Sequence, residues 1–284
     1  MSGDHTEFDV QFKTNNFGLI DERAYPLPPK SRNIAIVGDS FTAGYHGGKP
    51  WVPRLEQKVS DARIYNLGIT GAGFVQFDQL LSEVGESLSI NETLVIAISS
   101  DVGRKPWRPI ESDGRLFFCA LTTQTDFCLK KKSSVYLLDG TETDDQIQAA
   151  ARKHTRSNQK ISLRRYLSRH TYVGRLFHSR TWKRRSKKLD AEPIADISID
   201  ALRRMKQRLG DSVTLMHIPE RREVQAGGYS ADLKTVARDL GLKFVDGLTL
   251  CKLTPDDYYK IDSHPNRNGY DKIKNCVAGI LNGV

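Results

Sequence analysis

Three side chains in this sequence have the types and order for nucleophilic chemistry: Ser40, Asp262 and His264. A serine hydroxyl is a weak nucleophile until a base takes its proton, and the base must itself be held by a third group. Ser40 lies in Gly38-Asp39-Ser40-Phe41-Thr42-Ala43-Gly44, directly after the apolar run Ile34-Ala35-Ile36-Val37. The far end of the chain supplies Asp262-Ser263-His264-Pro265-Asn266. Residues two apart on an extended segment point to the same side. That spacing predicts Asp262 against one ring nitrogen of His264, with Ser40 against the other. Gly-Asp-Ser is also ordinary turn chemistry, and Asp-x-His alone is weak. Together, in the order Ser…Asp…His, they point to acyl transfer through a serine ester.

The elements that must position these groups follow from hydrophobic patterning. Residues 33–38 read as a buried strand, and Ser40 falls just past its carboxyl end, where parallel sheets carry their chemistry. Further strands are expected at 64–67, 93–98, 212–218 and 243–246, with helical spacing at 50–59, 74–88, 194–209, 229–240 and 268–281. Strands alternating with helices imply an α/β fold: a three-layer α/β/α sandwich on a central parallel sheet of about five strands. Phe8 to Thr14 alternates apolar and polar residues and reads as a short strand. Pro26, Pro28 and Pro29 then exclude a helix before the first core strand. Residues 1–31 are expected to form a peripheral extension or clasp.

Three blocks of this sequence resemble the SGNH (GDSL-type) hydrolases. Gly38-Asp39-Ser40-Phe41 resembles block I, and Asn66-Leu67-Gly68-Ile69-Thr70-Gly71-Ala72-Gly73 resembles block II. Asp262-Ser263-His264-Pro265-Asn266, followed by Gly269-Tyr270, resembles block V. The resemblance covers roughly residues 32–104 and 212–281 and implies an SGNH/flavodoxin-like fold. It makes Ser40 the nucleophile, His264 the base and Asp262 its orienter. The implied oxyanion hole is built from the N–H groups of Ser40 and Gly71. The block III stretch is Ile98-Ser99-Ser100-Asp101, where Ser100 occupies the place of the family's Asn donor. Asp39, Asp101 and His217 are further candidates for touching substrate. The implied activity is that of a serine esterase or deacetylase removing O-acyl (acetyl) groups from a carbohydrate or cell-surface polysaccharide. An O-acetyltransferase uses the same triad, so that alternative stays open, as does an inactive glycan-binding domain of the same fold. No metal or organic cofactor is expected.

The middle of the chain breaks the pattern. Residues 116–121 and 134–138 have the composition of a hairpin, and residues 144–151 and 160–182 that of helices. Residues 102–194 are therefore expected to be a basic helical insertion capping the core of one SGNH-type domain spanning 1–284. Between Arg152 and Lys188 there are fourteen Lys and Arg residues and no Asp or Glu, densest at Arg184, Arg185, Lys187 and Lys188. The whole chain carries only +9, so the positive field comes from one place. Such a run is either a solvated face or a surface that steers an anionic polysaccharide or a membrane surface. Nucleic acid is disfavoured because no nucleic-acid motif accompanies it.

At 284 residues the chain can bury a substantial core. No apolar run reaches the roughly 20 residues of a membrane helix. The opening Met1-Ser2-Gly3-Asp4-His5 has no leader pattern, which suggests either a cytoplasmic protein or a periplasmic one from which a leader was trimmed. Cys119 and Cys128 could pair in an oxidising compartment; free thiols at all four cysteines, Cys251 and Cys276 included, are an equal expectation.

Overall fold

The computed structural model describes residues 7–104, 107–112, 115–120 and 194–283. The chain divides into two compact units, residues 1–106 with 189–284, and residues 107–188. In the first unit five strands form one parallel sheet: β1 (Arg32–Gly38), β2 (Ala62–Gly68), β3 (Glu92–Ala97), β6 (Val213–His217) and β7 (Lys243–Asp246). Their order is β2-β1-β3-β6-β7, with every neighbouring pair parallel. This is the α/β architecture that the alternation of strands and helices implied.

Helices cover both faces. The first-unit helices are α1 (Ser40–Ala43), α2 (Phe74–Val84), α3 (Asp196–Leu209), α4 (Arg221–Ala226), α5 (Leu233–Asp239), α6 (Gly247–Leu250) and α7 (Arg267–Leu281). Alternate residues of a strand face opposite sides of its sheet, and β1 shows why the run could be apolar throughout. Ala35 and Val37 enter one core with Phe77 of α2, Leu202 of α3 and Leu233 of α5. Ile34 and Ile36 enter the other with Trp51, Leu55, Tyr270 and Ile273. Both faces are dry, so no polar alternation is needed.

In the second unit, β4 (Trp107–Ser112) pairs antiparallel with β5 (Arg115–Ala120). The sequence reading paired residues 116–121 with 134–138 instead. Trp107–Ser112 is nearer in sequence and supplies one partner of β5; residues 134–138, the partner expected from sequence, lie outside the described residues. The expected helices at 144–151 and 160–182, the basic residues Arg184, Arg185, Lys187 and Lys188, and any Cys119–Cys128 pair also lie outside them.

Other boundaries move too. Phe8 to Thr14 forms no strand, and among the described residues of the extension an isolated antiparallel bridge joins Thr14 and Ile20. The helix expected from residue 50 is a short 3-10 turn, Pro53–Gln57. Cys251 and Cys276 form a disulfide, Cα atoms 5.1 Å apart, tying the residue after α6 to α7. Free thiols at these two positions are thereby excluded. Among the described residues no helix is long and apolar enough to cross a membrane.

Candidate active site

β1 delivers Asp39 and Ser40 to the carboxyl edge of the sheet. Asp39 caps α1 through its carboxylate, which accepts from the Phe41 N–H at 2.8 Å. That cap converts strand to helix within one residue and leaves Ser40 at the first helical position, 5 % exposed. The turn is tight: a Cβ at Gly38 would meet Thr42 Oγ1 at 2.2 Å and the Ile96 carbonyl at 2.5 Å. Only glycine fits where β1, α1 and β3 converge.

The loop before α7 brings in the other two groups. Ser40 Oγ lies 2.8 Å from His264 Nε2, and His264 Nδ1 lies 2.5 Å from Asp262 Oδ1. Ser40, Asp262 and His264, chosen from their types, order and motifs, are thus brought together. The local geometry differs from the extended segment expected. Ser263 sits at φ 69°, in the left-handed region, and this bend, not a strand-like alternation, turns Asp262 and His264 toward each other. The bend is closed by Tyr259 N–H donating to the His264 carbonyl and Ser263 N–H donating to the Tyr259 carbonyl. Asn266 then caps α7, accepting from the N–H groups of Asn268 and Gly269.

A cavity of about 270 Å³ opens on these residues, lined by Ser40, Phe41, Ile98, Thr70, Gly71, Arg104 and His264 among others. Gly71 has φ +75° with open space around a would-be Cβ. Gly71 thus lines the cavity in a conformation that a side chain would strain.

His46, which the sequence reading passed over, completes the setting. Its ring stacks on His264 with centroids 3.8 Å apart and planes within 10°, and Tyr45 stacks on its other side at 4.0 Å. Burial, reinforced by the charge of His264 and opposed by Asp262, lowers the His46 pKa to about 4. A neutral ring is thus packed against His264. The available signal was an aromatic-His pair, Tyr45-His46, directly after the turn that carries Ser40. His46, Asp262 and His264 also place one ligand atom each within 4.8 Å of one another. In this arrangement both His264 nitrogens are engaged, by Ser40 and by Asp262.

Asp39, Asp101 and Arg104 form a buried charge cluster behind the serine. Arg104 lies 3.1 Å from Asp39 and 2.9 Å from Asp101, and donates to the Ala72 carbonyl at 2.7 Å. Burial, with the charge of Asp39, pushes the Asp101 carboxyl well up, and Arg104 opposes this. Burial disfavours the Arg104 charge, but the two carboxylates more than offset it and raise its pKa. Asp39 and Asp101 support the turn and do not line the cavity; Arg104 does.

Two candidates lie elsewhere. Ser100 directs its hydroxyl to Glu220, at 2.7 Å, and does not line the cavity. Glu220 stands at the start of α4, an element absent from the sequence reading, so nothing in the chain around Ser100 announced that acceptor. His217 is 1 % exposed, within 3.0 Å of Ser99 Oγ and stacked on Tyr229 at 3.7 Å. Burial lowers its pKa to about 3. It lines a different cavity, of about 420 Å³, with Tyr229, Asp232 and Phe244.

No protein-family model and no curated protein matches the chain. Among solved structures it is similar to the lipase/acylhydrolase from Enterococcus faecalis, at 13% identity and TM-score 0.47 over 89% of this chain and 96% of that one. It is similar to an alpha/beta hydrolase enzyme from the metagenome of Lake Arreo, Spain, at 14% identity and TM-score 0.44 over 89% and 96%. It is also similar to Axe2, an acetylxylan esterase from Geobacillus stearothermophilus, at 14% identity and TM-score 0.43 over 89% and 95%.

Proposed function

We propose that this chain is an SGNH-type serine esterase that removes short O-acyl groups, acetyl above all, from carbohydrate hydroxyls. The observation that carries the reading is the continuous relay Ser40 Oγ–His264 Nε2 at 2.8 Å and His264 Nδ1–Asp262 Oδ1 at 2.5 Å. In that relay His264 takes the Ser40 proton as the hydroxyl attacks the acyl carbonyl. Asp262 holds the tautomer with a proton on Nδ1 and stabilises the imidazolium that forms. The negative charge developing on the carbonyl oxygen is met by backbone N–H groups. Ser40 contributes from the opening turn of α1, where the first N–H groups have no partner inside the helix, and Gly71 from the lining of the same cavity. One such donor is worth about 3–4 kcal/mol. His264 then protonates the leaving alcohol, and water, activated by the same His264, releases the acid from the acyl-serine.

The cavity supports a small acyl group. About 270 Å³ between Phe41 and Ile98 lies below the usual range for drug-sized ligands, roughly 300–1,000 Å³. It holds an acetyl group with space for the attacking water, and the sugar remains outside. The test is hydrolysis of p-nitrophenyl acetate, p-nitrophenyl octanoate and an acetylated xylo-oligosaccharide by the parent and by Ser40→Ala. The acetyl esters should turn over well above the octanoate. Ser40→Ala should cost on the order of 10⁴-fold or more in kcat, as loss of a triad nucleophile does. Residual activity within about tenfold of the parent would remove Ser40 from the reading. Adding a free sugar acceptor and weighing the products distinguishes release of acetate from its transfer.

A further inference from the structure

The loop that carries Asp262 and His264 is closed at its base by Tyr259 N–H on the His264 carbonyl and Ser263 N–H on the Tyr259 carbonyl, but its tip is exposed. It lies between the 3-10 turn Pro255–Asp257 and α7, and Ile261 at its tip is 74% exposed. Burial therefore does not fix it, yet an orienting carboxylate must stay within about 0.5 Å of its productive place. What meets the loop from outside is the N-terminal extension. Glu7 Oε1 accepts from the N–H groups of Lys260 at 2.9 Å and Ile261 at 3.0 Å. Glu7 Oε2 accepts from Ile261 at 2.9 Å and Asp262 at 2.8 Å. Three successive backbone N–H groups thus converge on one carboxylate, forming an anion-binding nest, and the third belongs to the triad's own aspartate.

The same segment reaches the base from below. The Phe8 ring lies 5.1 Å from His46 and 5.1 Å from Tyr259, and Phe12 lies 4.8 Å from Tyr45. Tyr259 donates its hydroxyl to the His46 carbonyl at 2.8 Å. His46 is the ring on which His264 stacks. Residues 7–12 therefore touch both supports of the relay: the N–H groups beneath Asp262 and the aromatic stack beneath His264.

We propose that residues 7–12 are an intramolecular clasp that positions the Asp262–His264 loop, with Glu7 as the positioning residue. The inference rests on the esterase reading above for its kinetic consequence but not for its structural one. Glu7 touches no reacting atom; it acts by filling the nest with a negative charge and so fixing the bend at Ser263. An amide cannot replace it, because the NH₂ group of a glutamine would face an N–H donor.

The experiment compares the parent, Glu7→Ala, Glu7→Gln and, as a control on the same segment, the exposed Asp9→Asn. Glu7→Ala should lower kcat on an acetyl ester by about tenfold to a hundredfold, the cost of displacing a catalytic group by about an ångström, and leave KM within about twofold. Glu7→Gln should fall nearly as far, and Asp9→Asn should match the parent. Propionate, entering the vacated nest of Glu7→Ala, should recover part of the loss, whereas chloride at equal ionic strength should not. Hydrogen exchange supplies a readout independent of turnover: the amides of Lys260, Ile261 and Asp262 should exchange faster in Glu7→Ala than in the parent. Unchanged exchange at those three amides would overturn the clasp, as would faster exchange with kcat unaltered. A parent that turns over esters no better than Ser40→Ala would instead sink the esterase reading, with the exchange result still standing as the test of the clasp.

Discussion

Arg104→Met tests the charge cluster behind the serine most directly. Methionine retains an apolar stem and removes the guanidinium that pairs with Asp39 at 3.1 Å and Asp101 at 2.9 Å. Both aspartates are 0 % exposed. Removing one partner of a buried ion pair costs about 3–5 kcal/mol. A second route gives a ceiling. A carboxyl left without its cation escapes by keeping a proton, at about 1.4 kcal/mol for each pH unit above its unfolded pKa near 3.9. That ceiling is about 4 kcal/mol at pH 7 and about 1.5 kcal/mol at pH 5. The sign follows from linkage. Burial and the charge of Asp39 raise the Asp101 carboxyl well above its usual range even with Arg104 beside it; without Arg104 it rises further, so the native variant keeps that proton to higher pH than the native parent does. The variant therefore loses stability relative to the parent as pH rises past the point at which the parent's Asp101 ionises. Urea unfolding, followed by far-UV circular dichroism and tryptophan fluorescence, should give a loss of about 3–4 kcal/mol near pH 7 and no larger loss near pH 5. A larger loss at pH 5 than at pH 7, or a loss below about 1 kcal/mol at pH 7, would refute the electrostatic account.

Ser100→Ala should leave kcat within about twofold of the parent, because its hydroxyl is spent on Glu220, and should lower stability by about 1 kcal/mol, the usual worth of one such bond. A fall in kcat of tenfold or more, with KM unchanged, would return Ser100 to the oxyanion hole. Replacing Cys251 and Cys276 by Ser opens a loop whose ends are 25 residues apart, which chain entropy values at about 3.5 kcal/mol; an unchanged urea midpoint would show that the disulfide contributes nothing to stability.

The legible parts of this chain were those in which one residue type carries its own explanation. β1 was visible because a strand buried on both faces must be apolar throughout, and Ile34 to Val37 is. Ser40, Asp262 and His264 were visible because few other residue types can do their chemistry. The rest depends on partners distant in sequence. Ser100 was expected in the oxyanion hole from its place in the block III stretch; Glu220, 120 positions on, claims its hydroxyl. The alternation of Phe8 and Phe12 is real, but their partners are the rings of His46, Tyr259 and Tyr45 and not a neighbouring strand. The left-handed Ser263 could not be read, since serine rarely adopts that conformation without tertiary contacts to hold it.

Ser40 and His264 share a hydrogen bond across 224 positions of sequence. Closing so long a loop costs entropy before any contact repays it. The hydroxyl waits at the end of the first strand, and its base arrives only after β7, on the loop that leads into α7. During refolding, helix content and tryptophan burial can therefore recover while the proposed ester cleavage still lags, which makes turnover, on that reading, a late and stringent reporter of completed assembly. A partly folded chain, its apolar strands still exposed, carries a serine with no base beside it.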